Sequence, residues 1–169
     1  MKKISLLILA VILCCSVFAK QKKQPKKKKV TNTITSVLIF RTGCFGQCPT
    51  YTVLIDDNGW ATYTAIRFNA DTGAYLKEIG VAKAKEILNE VNSYKPDTCK
   101  DVYDNLATDL PGLNFTIKYT TKTKMIRNAK FGPGFLQTLG AHIEAVGKKS
   151  AENGSGWQKV NNQPGRPGK

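Results

Sequence analysis

A nine-residue stretch at positions 43–51, GCFGQCPTY, carries the residue types with the most chemical potential in this chain. Two thiols separated by three residues can form a disulfide, exchange disulfides with another protein, or bind a soft metal ion. The glycines permit unusual backbone angles, and the proline holds the residue before it extended, so the stretch predicts a tight, defined turn. The residues assigned to this turn are Gly43, Cys44, Phe45, Gly46, Cys48, Pro49 and Tyr51.

Three cysteines remain after the predicted leader segment is removed: Cys44, Cys48 and Cys99. In an exported protein we expect one disulfide and one thiol left over. In the chain-entropy model a Cys44–Cys48 link stabilises the fold by about 2 kcal/mol, and a link from either residue to Cys99 by about 4 kcal/mol. Loop entropy favours the longer link, whereas the rigid turn favours Cys44–Cys48, the pairing that we prefer while both stay open.

The alternative interpretation is thiol redox chemistry or copper or zinc handling by Cys44 and Cys48. The C-x-x-x-C-P spacing is similar to that of Sco-type copper chaperones, which use a distant histidine, and His142 is the single histidine here. A metal site of Cys44, Cys48, Cys99 and His142 is therefore the competing hypothesis. Thioredoxin-like proteins activate the thiol with a helix after the turn. A strand pattern follows Pro49 instead, which favours a structural disulfide and predicts no cofactor or metal.

The elements around this turn predict an α+β fold with an antiparallel sheet. Alternating or β-rich runs indicate strands, and apolar residues at helical spacing indicate two helices. The predicted strands cover 37–40, 51–55, 60–68, 73–79, 113–120 and 125–126, and the predicted helices cover 81–93 and 135–146. The order β-β-β-(β)-α-β-β-α predicts a sheet of about five to six strands, with two helices packed on one face.

The ends of the chain differ in composition from this domain. Residues 1–19 combine Lys2 and Lys3 with a short apolar run, which is typical of a secretory signal peptide cleaved after Ala19. The alternative to cleavage there is lipid anchoring at Cys14 or Cys15. Residues 20–32 are predicted as a Lys-rich tether, 33–146 as a single α+β domain, and 147–169 as a disordered tail. The sequence thus predicts an exported protein, periplasmic or extracellular, without a transmembrane span after cleavage.

Charge is unevenly distributed along the chain. The formal net charge is +14, yet residues 30–146 contain 12 basic and 11 acidic residues. Because a nucleic-acid interface needs basic residues on the fold itself, the distribution excludes a sequence-specific nucleic-acid partner. The run Lys20–Lys29 is interpreted as a spacer, with binding to an envelope protein or an anionic envelope surface as the alternative.

No recognisable catalytic motif is present, and no residue is predicted to be catalytic. Four aspartates in one loop, Asp97, Asp101, Asp104 and Asp109, are interpreted as caps and turns in preference to a cation site. The predicted function is therefore non-enzymatic binding or structural work in the bacterial cell envelope.

A set of residues spread along the domain matches a known family pattern. These residues are Arg41, Gly43, Cys44, Phe45, Gly46, Cys48, Pro49, Tyr51, Gly59, Tyr63, Tyr103, Asp109, Leu110, Pro111, Pro133 and Leu136. In this pattern the chain resembles a family of exported Bacteroidota proteins, a domain of unknown function (DUF6438), over about 35–146. The GCFGxCPxY block is the specific part of the pattern. The resemblance implies an envelope location and no assigned activity.

Overall fold

The structure of the protein is a computed structural model that describes residues 31–103, 109–150 and 154–160. The predicted signal peptide (1–19), the predicted tether up to residue 30 and residues 161–169 of the predicted tail lie outside the described residues. No helix in the described ranges combines the length and the apolar character needed to cross a membrane.

Strands in the described residues form one antiparallel sheet. They are β1 (Ile34–Arg41), β2 (Thr50–Asp56), β3 (Trp60–Arg67), β4 (Gly73–Glu78), β5 (Leu113–Tyr119), β6 (Thr123–Ile126) and β7 (Gln158–Val160). Their order across the sheet is β6-β5-β1-β2-β3-β4-β7. Two α-helices lie in the described part of the chain, α1 (Val81–Ser93) and α2 (Phe135–Gly147).

The period-two pattern of the strands places one set of side chains in the core. Val37 and Ile39 of β1 and Val53 and Ile55 of β2 are completely buried, because successive strand residues point to opposite faces. Both helices pack on this face: α1 contacts β1, and α2 contacts β2 and β3. The predicted fold class, α+β with an antiparallel sheet and two helices on one face, is confirmed.

The strand count differs from the prediction of five to six, because the described sheet has seven strands. The extra strand, β7, lies within residues 147–169, the segment predicted as a disordered tail. β7 pairs with β4 at the sheet edge, and the ring of Trp157 lies 6.3 Å from that of Tyr63. A three-residue strand is too short to show alternation, and its stability comes from this edge pairing and ring contact.

The hairpin between β2 and β3 connects the sheet to α1. The Asp56 carboxylate accepts hydrogen bonds from the backbone N–H groups of Asn58 and Trp60. Gly59 has a φ of 90°, and its carbonyl accepts hydrogen bonds from Ile79 and Gly80 just before the helix. A Cβ at Gly59 would lie 2.6 Å from the Val81 nitrogen, so glycine permits this close approach.

Candidate functional site at the disulfide turn

Cys44 and Cys48 form a disulfide that closes the loop between β1 and β2, with their Cα atoms 5.5 Å apart. The pairing is the one that the rigid turn favours. Cys99 is the free thiol among the described residues. Pro49 is followed by β2, which begins at Thr50. The turn therefore leads directly into a strand, without the helix dipole that lowers the pKa of a redox-active cysteine.

Phe45 projects from the tip of this loop. Its side chain is 94% exposed, and the flanking Gly46 and Gln47 are exposed as well. The Gly46 amide donates a hydrogen bond of 3.3 Å to the Cys44 sulfur. The disulfide and this hydrogen bond restrict the loop, so the chain presents an aromatic ring to solvent on a constrained support.

One carboxylate ties the base of the loop to α2. Arg41 and Tyr51 are opposite each other in the β1–β2 register. Arg41 Nε donates to Glu144 Oε1 at 2.6 Å and Arg41 Nη2 to Oε2 at 3.2 Å. The Tyr51 hydroxyl donates to Glu144 Oε1 at 2.7 Å. The two strands that enter and leave the turn are thus held to the same helix by charge-assisted hydrogen bonds.

The network shifts the protonation equilibria of its members. The pKa of Tyr51 is far above its ordinary value. Burial is the largest cause, and the hydrogen bond to Glu144 is the second. Burial lowers the pKa of Arg41, but the hydrogen bond and charge of Glu144 outweigh that effect and raise it overall. Lys148 Nζ lies 4.5 Å from the centre of the Tyr51 ring. At neutral pH Tyr51 is a neutral donor, Arg41 is a cation and Glu144 accepts from both.

We expect the free energy of unfolding to decline as the pH rises above the ordinary tyrosine pKa of 10.0. The folded-state pKa values of Tyr51, Tyr63 and Tyr119 are all raised, with burial as the largest cause. The unfolded chain then loses these protons first, so the stabilisation is complete below the unfolded pKa and is lost as the pH rises above it.

Thermal melts from about pH 8 to about pH 11.5 measure this decline, since that range spans the ordinary tyrosine pKa. In Tyr51→Phe the decline should be shallower, because one raised pKa is removed. A wild-type melting temperature that stays constant across this range would contradict the prediction.

A second contact fixes the other side of the turn. The Thr42 amide donates to the Gly112 carbonyl at 3.2 Å, and the Gly112 amide donates to Thr42 Oγ1 at 2.7 Å. A Cβ at Gly112 would lie 2.8 Å from Thr42 Oγ1, so this approach favours glycine. Asp109 and Pro111 of the predicted motif lie in the segment that leads to this contact. The structure therefore brings the end of that segment next to Gly43, the first residue of the turn.

The four residues of the competing metal-site hypothesis are not placed to bind one metal ion. His142 lies on α2, where its Nδ1 is 2.7 Å from Glu90 Oε1 of α1. Cys44 and Cys48 are joined to each other. Over residues 31–103, 109–150 and 154–160, no group of three or more His, Cys, Asp or Glu side chains is placed to hold a metal ion. Cys44, Cys48, Cys99 and His142 therefore do not form a common site.

Two of the four loop aspartates take part in ion pairs. Asp97 pairs with Lys122 and Asp101 with Lys124, whereas Asp104 lies outside the described residues. These contacts stabilise the connection that precedes β5 and agree with a structural interpretation of the acidic residues.

Sequence reasoning missed Glu144, and it noticed Arg41 only through the family pattern. The available signal was a charged residue flanked by Ile143 and Val146, two positions of the apolar stripe of α2. A carboxylate at such a position is half-buried and needs a partner. The partners come from β1 and β2, about a hundred residues earlier in the chain, and only the fold identifies them.

The fold and the site define a small α+β domain in which a disulfide-closed loop projects from one end of a sheet covered by two helices. The chain belongs to the family described as Domain of unknown function (DUF6438), whose family model matches residues 35–147. The match confirms membership in this family of unknown function and ends at the last residue of α2. Searches of curated proteins and of solved structures find no match for this chain.

Proposed function

We propose that this protein is an exported, non-enzymatic binding domain of the bacterial cell envelope and that Phe45 is its central contact residue. The observation that carries the proposal is the 94% exposure of the Phe45 side chain on a loop closed by the Cys44–Cys48 disulfide. An exposed phenylalanine contributes little to the folded state, whereas aromatic side chains often dominate binding energy at protein interfaces.

Constraint of the loop supports a binding role over a purely structural one. A loop that is already ordered loses less conformational entropy when it binds, so more of the contact energy contributes to affinity. Arg41, Tyr51 and Glu144 anchor the loop from below, and Thr42 and Gly112 anchor its side.

Export is proposed from the leader and from the disulfide. Disulfides persist in oxidising compartments and are rare in the cytosol. Residues 1–19 have the composition of a cleavable signal peptide, or of a lipid-anchoring leader if Cys14 or Cys15 is acylated. The Lys-rich run at 20–29 is then a spacer or a segment that binds an anionic envelope surface. An envelope protein is the partner class that fits this location.

Replacing Phe45 by alanine is expected to leave folding intact and to remove binding. The free energy of unfolding should change by less than about 0.5 kcal/mol, because the ring has few contacts to lose. A photoreactive phenylalanine analogue at position 45 should give one discrete cross-linked product with envelope extract, detected by gel mobility and mass spectrometry.

The matched control carries the same analogue at Lys85, an exposed position on α1, and should give no discrete product. The product from position 45 should decrease when Cys44 and Cys48 are both replaced by serine, since the loop is then less constrained. Equal labelling from positions 45 and 85, or no product from position 45, contradicts the proposal.

A further inference from the structure

The second face of the sheet, opposite the helices, is here named the open face. Its side chains alternate with the core residues along each strand, and those of the two central rows are partly or fully exposed to solvent. The first row is Met125, Thr116, Leu38, Leu54, Thr62, Leu76 and Gln158, and the second is Asn114, Phe40, Thr52, Thr64, Ala74 and Val160. No member of either row is charged.

Three charged residues, Lys118, Asp56 and Glu78, lie in the row next to Leu38 and Leu54. Ser36 pairs with Lys118 on one side and with Asp56 on the other, and Trp60, next to Asp56 across the hairpin, pairs with Glu78. The Asp56 carboxylate is used by the β2–β3 hairpin. Lys118 and Glu78 are exposed, and neither has an ion-pair partner among the described residues.

Lys118 and Glu78 carry opposite charges and lie equally far from the middle of the sheet, on opposite sides. β2 is the central strand of the seven. Lys118 lies on β5, two strands to one side of β2, and Glu78 lies on β4, two strands to the other side. A two-fold rotation about an axis along β2 therefore places Lys118 of one copy opposite Glu78 of the other, twice per pair. Isologous interfaces need this self-complementarity.

We propose that the open face binds a second copy of this chain about a two-fold axis that runs along β2. Face-to-face packing of two sheets with aligned strands is a standard arrangement, with an interlayer distance of about 10 Å. Seven strands spaced about 4.8 Å apart, each with about five paired residues, present a footprint of about 500 Å² per copy. The pair then buries about 1,000 Å², the lower range of specific protein interfaces.

The uncharged rows make a self-interface favourable in the centre, where Leu54 of β2 lies on the axis and meets its own equivalent. Asp56 of β2 also lies on the axis, at the rim, and its carboxylate accepts hydrogen bonds from the Asn58 and Trp60 amides. The two Asp56 carboxylates oppose each other there and lower the affinity of the pair. Leucine, phenylalanine and threonine side chains can pack without leaving a buried charge unpaired. The Lys118–Glu78 pairs at the rim specify the direction of packing, because the other in-plane two-fold axis would not bring these charges together. This surface shares no residue with the Phe45 loop.

Sedimentation equilibrium of the purified chain tests the proposal. We expect a monomer–dimer equilibrium with a dissociation constant in the micromolar range, on the order of 10 µM, as is usual for small interfaces. Leu54→Glu should weaken the dimer by at least about 100-fold, because two carboxylates would be buried against each other at the axis. Its far-UV circular dichroism should match that of the wild type, because Leu54 lies on the face away from the core.

Charge exchange at the rim tests the direction of packing. Lys118→Glu alone and Glu78→Lys alone should each weaken the dimer by about 10-fold, because each single change opposes like charges twice per dimer. The double variant with both changes should return to within about 3-fold of the wild type, since opposite charges face each other again. Lys85→Glu on α1 is the matched control and should have no effect on association.

Three outcomes would overturn the proposal. A wild-type chain that stays monomeric at about 100 µM has no specific self-interface of useful strength. A dimer that tolerates Leu54→Glu forms through another surface. A double charge exchange that fails to restore association contradicts the proposed axis. The first of these outcomes assigns the open face to a different partner or to none.

Discussion

Replacement of Glu144 by alanine is expected to lower the free energy of unfolding by about 3 kcal/mol. The substitution removes one carboxylate that accepts from Arg41 Nε, Arg41 Nη2 and the Tyr51 hydroxyl. The side chains of Arg41 and Glu144 are 21% and 18% exposed, so water only partly replaces the lost partner. A half-buried guanidinium without its counter-charge causes most of the loss.

Chemical denaturation followed by circular dichroism measures this effect. Glu144→Gln keeps an acceptor oxygen but loses the charge, so it should cost about half as much. Glu86→Ala removes a carboxylate that pairs with Lys83 on the exposed surface of α1 and should cost less than about 0.5 kcal/mol. A loss below about 1 kcal/mol for Glu144→Ala would show that the network contributes little to anchoring the turn.

A paired substitution separates the charge effect from the packing effect. Arg41→Met combined with Glu144→Leu removes both charges together, and it should be less destabilising than Glu144→Ala alone, because no unpaired cation remains. If the double change costs as much as the single changes combined, packing and not the ion pair stabilises this region.

Replacement of Gly147 by valine is the second large effect and should also cost about 3 kcal/mol. Gly147 is the buried last residue of α2, and a Cβ there would collide with Val53 Cγ1 and lie 3.5 Å from Ile55 Cγ1. Both of these side chains are completely buried. Any side chain at 147 must therefore push the helix end away from β2 and open the core.

Ala145→Val is the matched control, because Ala145 lies two residues earlier on the exposed side of the same helix. It should cost less than about 1 kcal/mol, the usual helix-propensity penalty of a β-branched residue. Thermal and denaturant melts of both variants give the comparison. Similar losses at positions 145 and 147 would contradict the packing explanation. Displacement of the helix end should also loosen the Glu144 network, which lies one turn earlier on α2.

Most of the fold could be predicted from local patterns in the sequence. The alternation of Phe115 and Ile117 with Thr116 and Lys118 predicted β5, and it places the first two residues in the core. The helical spacing of Leu136, Leu139 and Ile143 predicted α2, and all three are completely buried. Such patterns are readable because the burial of one face imposes a period of two or of about 3.6 residues. β7 was missed because a three-residue edge strand has no measurable period.

Within the candidate site, the tightly spaced Cys44 and Cys48 could be recognised from the sequence alone. The rigid turn favoured their pairing, and the strand pattern after Pro49 indicated the absence of an activating helix. The exposure of Phe45 could not be predicted, since phenylalanine is commonly buried and its direction depends on the path of the closed loop. Glu144 could not be assigned to the site either, because nothing local to α2 identifies β1 and β2 as its neighbours.

The sequence by itself determined the class of fold, the family and a defined turn with two closely spaced cysteines, because residue periodicity, motif spacing and cysteine separation are local properties of the chain. Only the tertiary structure decided how the turn is supported and what it presents. It placed Arg41, Tyr51 and Glu144 in one network and projected Phe45 into solvent. Within the described residues, both helices lie on the same face of the sheet. These features depend on contacts between distant segments, and such contacts are set by packing of the whole core.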